Sequence, residues 1–324
     1  MAIASMLYQT NYIAMVLTSS PYKVLLWDDR KQKPTHEIFS RYEVLNVLLR
    51  RDVLVVVCEY KTYVYEFGNF QVLLCLETHS NPFGAAALSL DGGKCPGGNI
   101  HACTFSCAPW ILAVPGKSKG SLRIQSGLND ATSCEVSSAH SHGLVAITGN
   151  FSGSLVATAS EQGTVVKVWT TVDGNLKFSF RRGTSPGVIS SMAFKADSTV
   201  LAVASGNSTV HIFKLEERSS PEVSADTLAS SALKAAVAAA AIPRAAAQFK
   251  LMEISVDFRS VGSKVRGPVV TFAKEKLLVL HVNGVLYGGS LSDKGLSILG
   301  AVFAARPEFK IGAATETEDQ WLVI

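Results

Sequence analysis

Two stretches of the chain are near copies of one another, and they restrict the fold more than any other feature. Leu155-Val-Ala-Thr-Ala-Ser160, a tight turn at Gly163 and Thr164-Val-Val-Lys-Val-Trp169 recur downstream. The copy is Leu201-Ala-Val-Ala-Ser205, a turn near Ser208 and Thr209-Val-His-Ile-Phe213. The two turns lie 45 residues apart, and an earlier turn at Gly120 precedes Gly163 by 43. A later turn at Gly284 follows Ser208 by 76, which is one repeat plus an insertion of about 30. Strand-pair units repeating every 40–45 residues are the signature of an all-β, WD-repeat-like β-propeller of four-stranded blades. Trp27-Asp28 supplies one WD dipeptide. Six units are recognisable, starting near residues 4, 44, 84, 143, 187 and 267.

The other strand-like runs fit this reading. Tyr12–Leu17, Lys23–Trp27, Leu54–Cys58, Thr62–Phe67, Ile111–Val114 and Leu277–Val282 are rich in β-branched and aromatic residues and are broken by Gly, Ser, Asn and Asp. Amphipathic helical repeats, which helical solenoids require, are missing from the sequence. A hydrophobic content of 48% with 17% charged residues excludes wholesale disorder. The net charge of +4 is too small to imply nucleic acid, so an anionic partner needs a local cluster. The six cysteines (Cys58, Cys75, Cys95, Cys103, Cys107, Cys134) read as buried or free thiols of a reducing compartment. No uncharged apolar run approaches the ~20 residues that span a bilayer, so any membrane contact is expected to be peripheral. The whole of 1–324 reads as one propeller domain with a polar tail at 306–324.

Two segments interrupt the repeat. Gly84–Ala108, rich in Gly and Cys, is expected to be a loop expansion inside the third unit. Glu216–Ala247 separates the third and fourth strands of the fifth unit and turns Ala-rich from Leu228 to Ile242, ending at Pro243. It reads either as a flexible surface loop or as a membrane-inserting helix with Leu228, Leu233, Val237 and Ile242 as a weak apolar stripe.

Leu176-Lys-Phe-Ser-Phe180-Arg181-Arg182-Gly183 falls where the fourth unit's outer strand belongs. Successive side chains of a strand point to opposite faces, so the two arginines lean toward different neighbouring grooves. A guanidinium presents a planar fork matched to phosphate oxygens, and two divergent ones point to two phosphate sites back to back. The alternative is that the pair protects an exposed edge strand. Ser160, Thr164 and Lys167 lie at the strand ends and turn of the fourth unit, with His140 at its entry; Ser205, Thr209 and His211 repeat the arrangement in the fifth. Hydroxyls, imidazole and ammonium are donors for phosphate oxygens, although Ser and Thr also cap tight turns routinely. If a histidine contributes, affinity is expected to rise on mild acidification.

These residues carry a resemblance. Phe180-Arg181-Arg182-Gly183 is similar to the Phe/Leu-Arg-Arg-Gly hallmark of the PROPPIN group of WD-repeat proteins, the WIPI proteins of animals. Lys23-Val-Leu-Leu-Trp-Asp-Asp, Leu49-Arg-Arg-Asp-Val-Leu-Val-Val-Val, Ala157-Thr-Ala-Ser-Glu-Gln-Gly-Thr and Thr209-Val-His-Ile-Phe extend it. The likeness runs from Asn11 to Leu291 and is greatest to the branch with short blade loops. It implies a seven-bladed propeller that binds phosphatidylinositol 3-phosphate and the 3,5-bisphosphate. It also implies autophagosome formation with a lipid-transfer partner. By motif, the first site would use His140, Ser160, Thr164, Lys167 and Arg181, and the second Arg182, Ser205, Thr209 and His211. The Glu216–Ala247 insertion takes the place of the family's membrane-dipping loop. The chain departs from the pattern in carrying Lys167 where relatives carry Arg, in Ser205-Gly-Asn-Ser208 where they have Ser-Asp-x-Gly, and in showing six units. A missing or diverged N-terminal blade, or a strand from Glu308–Ile324, would account for the sixfold count.

The resulting expectation is a monomeric cytoplasmic protein recruited peripherally to preautophagosomal and endosomal or vacuolar membranes, without cofactor, metal or nucleic acid. The rival is a protein-interaction propeller that binds no lipid. Enzyme chemistry finds little support. Gly116-Lys-Ser118-Lys-Gly120 fits G-x-S-x-G but precedes a strand where a nucleophile elbow needs a helix, so it reads as a hairpin turn. Cys95, His101, Cys103 and Cys107 match no regular zinc spacing.

Overall fold

Each described strand pairs with its sequence neighbour, and the result is six four-stranded antiparallel meanders. The computed structural model describes residues 3–7, 10–90, 109–127, 133–206, 209–216, 247–250, 267–273, 276–280, 285–292 and 295–304. The first sheet holds β1 (Ile3–Met6), β2 (Tyr12–Leu17), β3 (Ser20–Asp28) and β4 (Lys33–Phe39). The second holds β5 (Val44–Leu49), β6 (Val53–Cys58), β7 (Lys61–Glu66) and β8 (Val72–Glu77). The third runs through β9 (Ala87–Leu88), β10 (Ile111–Pro115), β11 (Leu122–Ser126) and β12 (Ser133–Val136). The fourth has β13 (Leu144–Gly149), β14 (Leu155–Ser160), β15 (Val165–Thr170) and β16 (Leu176–Arg181). The fifth has β17 (Ile189–Phe194), β18 (Val200–Ser205), β19 (Thr209–Lys214) and β20 (Ala247–Lys250). The last comprises β21 (Val269–Ala273), β22 (Lys276–Leu280), β23 (Val285–Ser292) and β24 (Gly295–Ala304). The architecture is the all-β one expected, and its six sheets begin close to the six unit starts seen in the sequence.

Burial explains the composition of each strand position. The second strands β6 and β14 are buried at every residue, because neighbouring sheets cover both of their faces. Such strands read as continuous runs of Val, Ala and Leu with no alternation. Outer strands such as β4 keep most side chains exposed and tolerate charge. Apolar clusters then glue the sheets in chain order. Leu54, Val56 and Cys58 pack with Val24 and Leu26 between the first two sheets. Val53 and Val55 meet Trp110 and Leu112 between the second and third. The fourth and fifth share Phe180, Val166, Leu201 and Phe213, with the Phe180 and Phe213 rings stacked at 4.8 Å. Val210 and Ile212 join Val270 and Val279 of the sixth. Each fully buried Val, Leu or Phe in these seams contributes about 1.5–3 kcal/mol.

Among the described residues, no such cluster joins the sixth sheet to the first. The first sheet's outward face instead carries Ile13, Met15, Leu25 and Trp27 half-buried. The tail at 306–324, polar in sequence and a candidate closing strand, lies outside the described residues. So do 91–108, which hold Cys95, His101, Cys103 and Cys107, and most of the Ala-rich insertion (217–246). That insertion lies between β19 and β20, the third and fourth strands of the fifth sheet, with β20 starting at its last residue.

Candidate functional site at the rim of the fourth and fifth sheets

The rim between the fourth and fifth sheets is organised by the hairpin turn that joins β14 to β15. Gly163 sits at φ 59° and donates its N–H to the Ser160 carbonyl at 2.8 Å. A left-handed φ favours glycine, and here space demands it too. A Cβ at Gly163 would fall well inside contact distance of the Gly187 carbonyl oxygen, in the connection to the fifth sheet. The turn therefore rests directly on that connection. Gly120, in the turn between β10 and β11, rests in the same way on the His140 carbonyl. That earlier turn contains the G-x-S-x-G stretch and links two antiparallel strands, the hairpin expected for it.

Arg181 ends the outer strand β16 and Arg182 follows it directly, so the pleat separates the two arginines. Phe180 faces the fifth sheet, where it stacks on Phe213. Arg182, two residues on, lies toward the same side, close enough to His211 for its charge to act on that ring. Arg181, between them, belongs to the opposite face. Arg182 is tied down by the protein itself. Its Nε donates to the Gly163 carbonyl and an Nη to the Ser185 carbonyl, both at 2.6 Å, leaving the other N–H groups of the fork for an anion. Arg181 differs, because its Nε is buried without a hydrogen-bond partner among the described residues.

On the Arg181 side, His140, Thr158, Lys167 and Trp169 form one network. His140 is buried and its Nε2 bonds the Thr158 hydroxyl at 2.9 Å. Thr158 also accepts the Trp169 indole N–H at 2.8 Å. The Lys167 ammonium donates to the Ala139 carbonyl at 2.6 Å and lies 5.6 Å from the Trp169 ring centroid. One ring nitrogen of His140 is thus committed to the sheet interior, which makes that residue a strut for the 139–142 connection as well as a site candidate. Ser160 is buried at the end of β14, and Thr164 is half-buried with its carbonyl accepting the Arg182 N–H at 2.8 Å.

On the Arg182 side, Ser205 is fully buried and its hydroxyl donates to the Thr209 carbonyl at 3.3 Å, which is the turn-capping use of serine. His211 is also buried, and neither of its ring nitrogens has a partner among the described residues. Its ring lies nearly parallel to Phe213 at 6.4 Å.

Both imidazoles are held neutral. Burial, reinforced by Lys167, brings His140 down to about 4; burial, reinforced by Arg182, does the same for His211. Between pH 5.5 and 7.5 neither free ring takes up a proton, which changes the expectation of tighter binding on mild acidification. Burial also lowers the Lys167 ammonium and the Arg182 guanidinium from their usual ranges.

Two features of this region escape the sequence. Thr158 looks like any β-strand threonine until its bonds to His140 and Trp169 are seen. Lys250 pairs in register with Thr209 as Arg181 pairs with Val165, so it occupies the backbone position of Arg181 one sheet later. The signal is present as Gln-Phe-Lys250 beside Ser-Phe-Arg181, but the insertion hides the alignment.

Fold and rim together define a WD-repeat-type β-propeller with paired cationic side chains at the end of one outer strand. The model of the PROPPIN family matches residues 1–254, and the chain belongs to that family. It is 35% identical over 234 residues to Autophagy-related protein 18 of Aspergillus oryzae, covering 69% of this chain and 55% of that one. It is 32% identical to SVP1-like protein 2 of Debaryomyces hansenii, covering 65% and 54%. The chain spans about half the length of the curated relatives it matches. Among solved structures it is similar to Hsv2 of Kluyveromyces lactis, at TM-score 0.66 and 22% identity, covering 91% of this chain and 84% of that one. The complex of KlAtg21 with the coiled-coil of AgAtg16 gives 0.68 and 19%, covering 94% and 85%. Among the described residues no helix is long and apolar enough to cross a membrane.

Proposed function

We propose that the chain is a phosphoinositide effector that takes phosphatidylinositol 3-phosphate and the 3,5-bisphosphate at two sites flanking Arg181 and Arg182. The observation that carries this reading is a pair of buried, unpartnered polar groups at the end of β16: the Arg181 Nε donor, and the neutral His211 ring, whose one N–H is a donor. Unpaired buried polar groups are costly, and a phosphate oxygen is a fitting acceptor for both. Arg181, with His140, Ser160, Thr164 and Lys167, serves the first head group. Arg182, with Ser205, Thr209 and His211, serves the second. Membrane-held in this way, the protein recruits autophagy machinery from the cytoplasm to preautophagosomal and endosomal or vacuolar membranes. A lipid-transfer protein is the expected partner, and the family relationship supports that role. The Glu216–Ala247 insertion would add membrane contact from the same sheet.

A protein-binding role without lipid draws on a different surface. Tyr22, Phe39, Tyr42 and Tyr60 are exposed on the first two sheets, and a similar propeller has been solved with a coiled-coil. Calorimetric titration with water-soluble phosphatidylinositol 3-phosphate separates the readings: two sites per chain are expected, and none if only protein is bound. Run at pH 7.5 and 5.5, the titration is expected to show flat or falling affinity. The histidines stay neutral, while a phosphate monoester with its second pKa near ~6 loses charge on acidification. A gain at pH 5.5 would mean that the bound phosphate lifts an imidazole above about 5.5.

A further inference from the structure

The chain has three Ser-Pro steps: Ser20-Pro21, Ser185-Pro186 and Ser220-Pro221. Ser20 is engaged in β3, in register with Leu17, and Ser220 lies outside the described residues. Ser185-Pro186 is placed differently. It sits in the connection from β16 to β17, and Thr184, Ser185 and Pro186 are all exposed. The Arg182 N–H bonds the Thr164 carbonyl and the Gly187 N–H bonds that of Gln162. Between these anchors, the N–H groups of Gly183, Thr184 and Ser185 have no backbone partner among the described residues. Pro186 biases Ser185 toward an extended backbone. Ser and Pro are ordinary loop residues, and exposure alone would say little. What sets this step apart is the arginine beside it. The Arg182 guanidinium lies along the connection: an Nη donates to the Ser185 carbonyl at 2.6 Å, and a Cβ on Gly187 would fall 2.9 Å from the same nitrogen. The charge of that guanidinium also reaches His211. The arginine of the second site is therefore held against the very residue that the Ser-Pro step presents to solvent.

We infer that Ser185 is a modification site for a proline-directed protein kinase, and that its phosphate closes the second site by taking Arg182. This rests on the phosphoinositide reading and adds a regulation to one of its two sites. Transfer moves the terminal phosphoryl group of ATP to Ser185 Oγ. The new O–P bond forms as the bond to the ADP oxygen breaks, and the hydroxyl proton passes to the base of the kinase. The product carries about −1.5 to −2 charge at pH 7 and three acceptor oxygens. Arg182 has N–H groups left over after its bonds to Gly163 and Ser185, and a guanidinium binds such an ester with charge-assisted bonds. The ester is a tethered ligand, so it competes with a head group at high effective concentration. Arg181 belongs to the opposite face of the strand, and the first site stays open.

The test has two arms. In the first, the folded chain is incubated with ATP and a proline-directed kinase of the mitogen-activated or the cyclin-dependent class, and the phosphate is mapped by mass spectrometry. Phosphate on Ser185, lost in Ser185→Ala, is expected; a chain that neither kinase modifies at Ser185 overturns the assignment. In the second arm, phosphoserine is installed at 185 during synthesis, and the protein is titrated with water-soluble phosphatidylinositol 3-phosphate and with vesicles carrying the lipid. The soluble titration should fall from two sites to one, and vesicle affinity should drop about a hundredfold, as for Arg182→Thr. Phosphoserine added to Arg182→Thr should change nothing further, whereas added to Arg181→Thr it should abolish the remaining binding. Two sites retained by the phosphoserine protein overturn the inference. So does a loss that persists in the Arg182→Thr background or appears only on vesicles, since the phosphate would then merely repel an anionic surface. Unmodified wild-type protein that binds no phosphoinositide overturns the underlying function instead. A thermal melt confirms that each protein is folded.

Discussion

Replacing either Arg181 or Arg182 alone with threonine should cost the chain most of its hold on vesicles carrying phosphatidylinositol 3-phosphate, although one site stays intact. Two sites on one rigid rim make the second binding event intramolecular, and avidity of this kind is worth ~10²–10⁴. Removing one arginine forfeits that factor as well as the local contact. A fall of about a hundredfold is therefore expected from each single change, and background retention from both together. Arg181→Thr is the cleaner experiment, because its Nε has no protein acceptor to lose among the described residues. Arg182→Thr also removes bonds to the Gly163 and Ser185 carbonyls, so its melting temperature is expected to drop as well. Single variants that bind within about threefold of wild type would show that the sites act independently.

A second large effect belongs to the turns. Gly163→Ala places a Cβ against the Gly187 carbonyl at a left-handed φ of 59°, so strain and overlap act together. The left-handed conformation alone costs roughly 1–2 kcal/mol, and moving the connection also disturbs the seam between the fourth and fifth sheets. A total near ~3 kcal/mol is expected, seen as a melting temperature lowered by roughly 6–12 °C. Gly120→Ala should behave alike, since His140 stands in the place of Gly187. Gly183, the glycine of the Phe-Arg-Arg-Gly stretch, has no left-handed φ, and a Cβ there would meet nothing within 4 Å. Gly183→Ala is accordingly expected to change stability by less than about 0.5 kcal/mol. Equal effects at Gly163 and Gly183 would contradict the close approach of the Gly163 turn to the Gly187 connection.

The fold is legible in the sequence wherever local chemistry repeats. The turns at Gly120 and Gly163 are visible as spacing because each needs a glycine for the same reason, a left-handed backbone pressed on a neighbouring carbonyl. The divergence of Arg181 and Arg182 follows from the pleat alone, with Phe180 fixing which face is which. What stays hidden depends on partners distant along the chain. β9 is two residues long, Ala87–Leu88, too short to read as a strand without β10 beside it. Thr158 gains its meaning from His140 and Trp169. The burial that keeps His211 neutral comes from packing against the Arg182 side of the fourth sheet, which no local pattern encodes. Register across the insertion, which puts Lys250 opposite Thr209, is likewise out of reach of any local pattern.

Those neutral imidazoles also bear on stability. Their folded pKa values of about 4 lie below the usual histidine value of 6.5. The unfolded chain therefore binds more protons below pH 6.5, and stability falls as pH drops from there toward about 4.

The most direct test of the central claim is co-flotation of the purified chain with vesicles carrying phosphatidylinositol 3-phosphate, beside phosphatidylserine vesicles of equal charge and the Arg181→Thr/Arg182→Thr variant. Two phosphate sites on the rim predict flotation that requires the 3-phosphate and disappears in the folded double variant. Equal flotation with both lipids, or binding that survives the loss of both arginines, would contradict it.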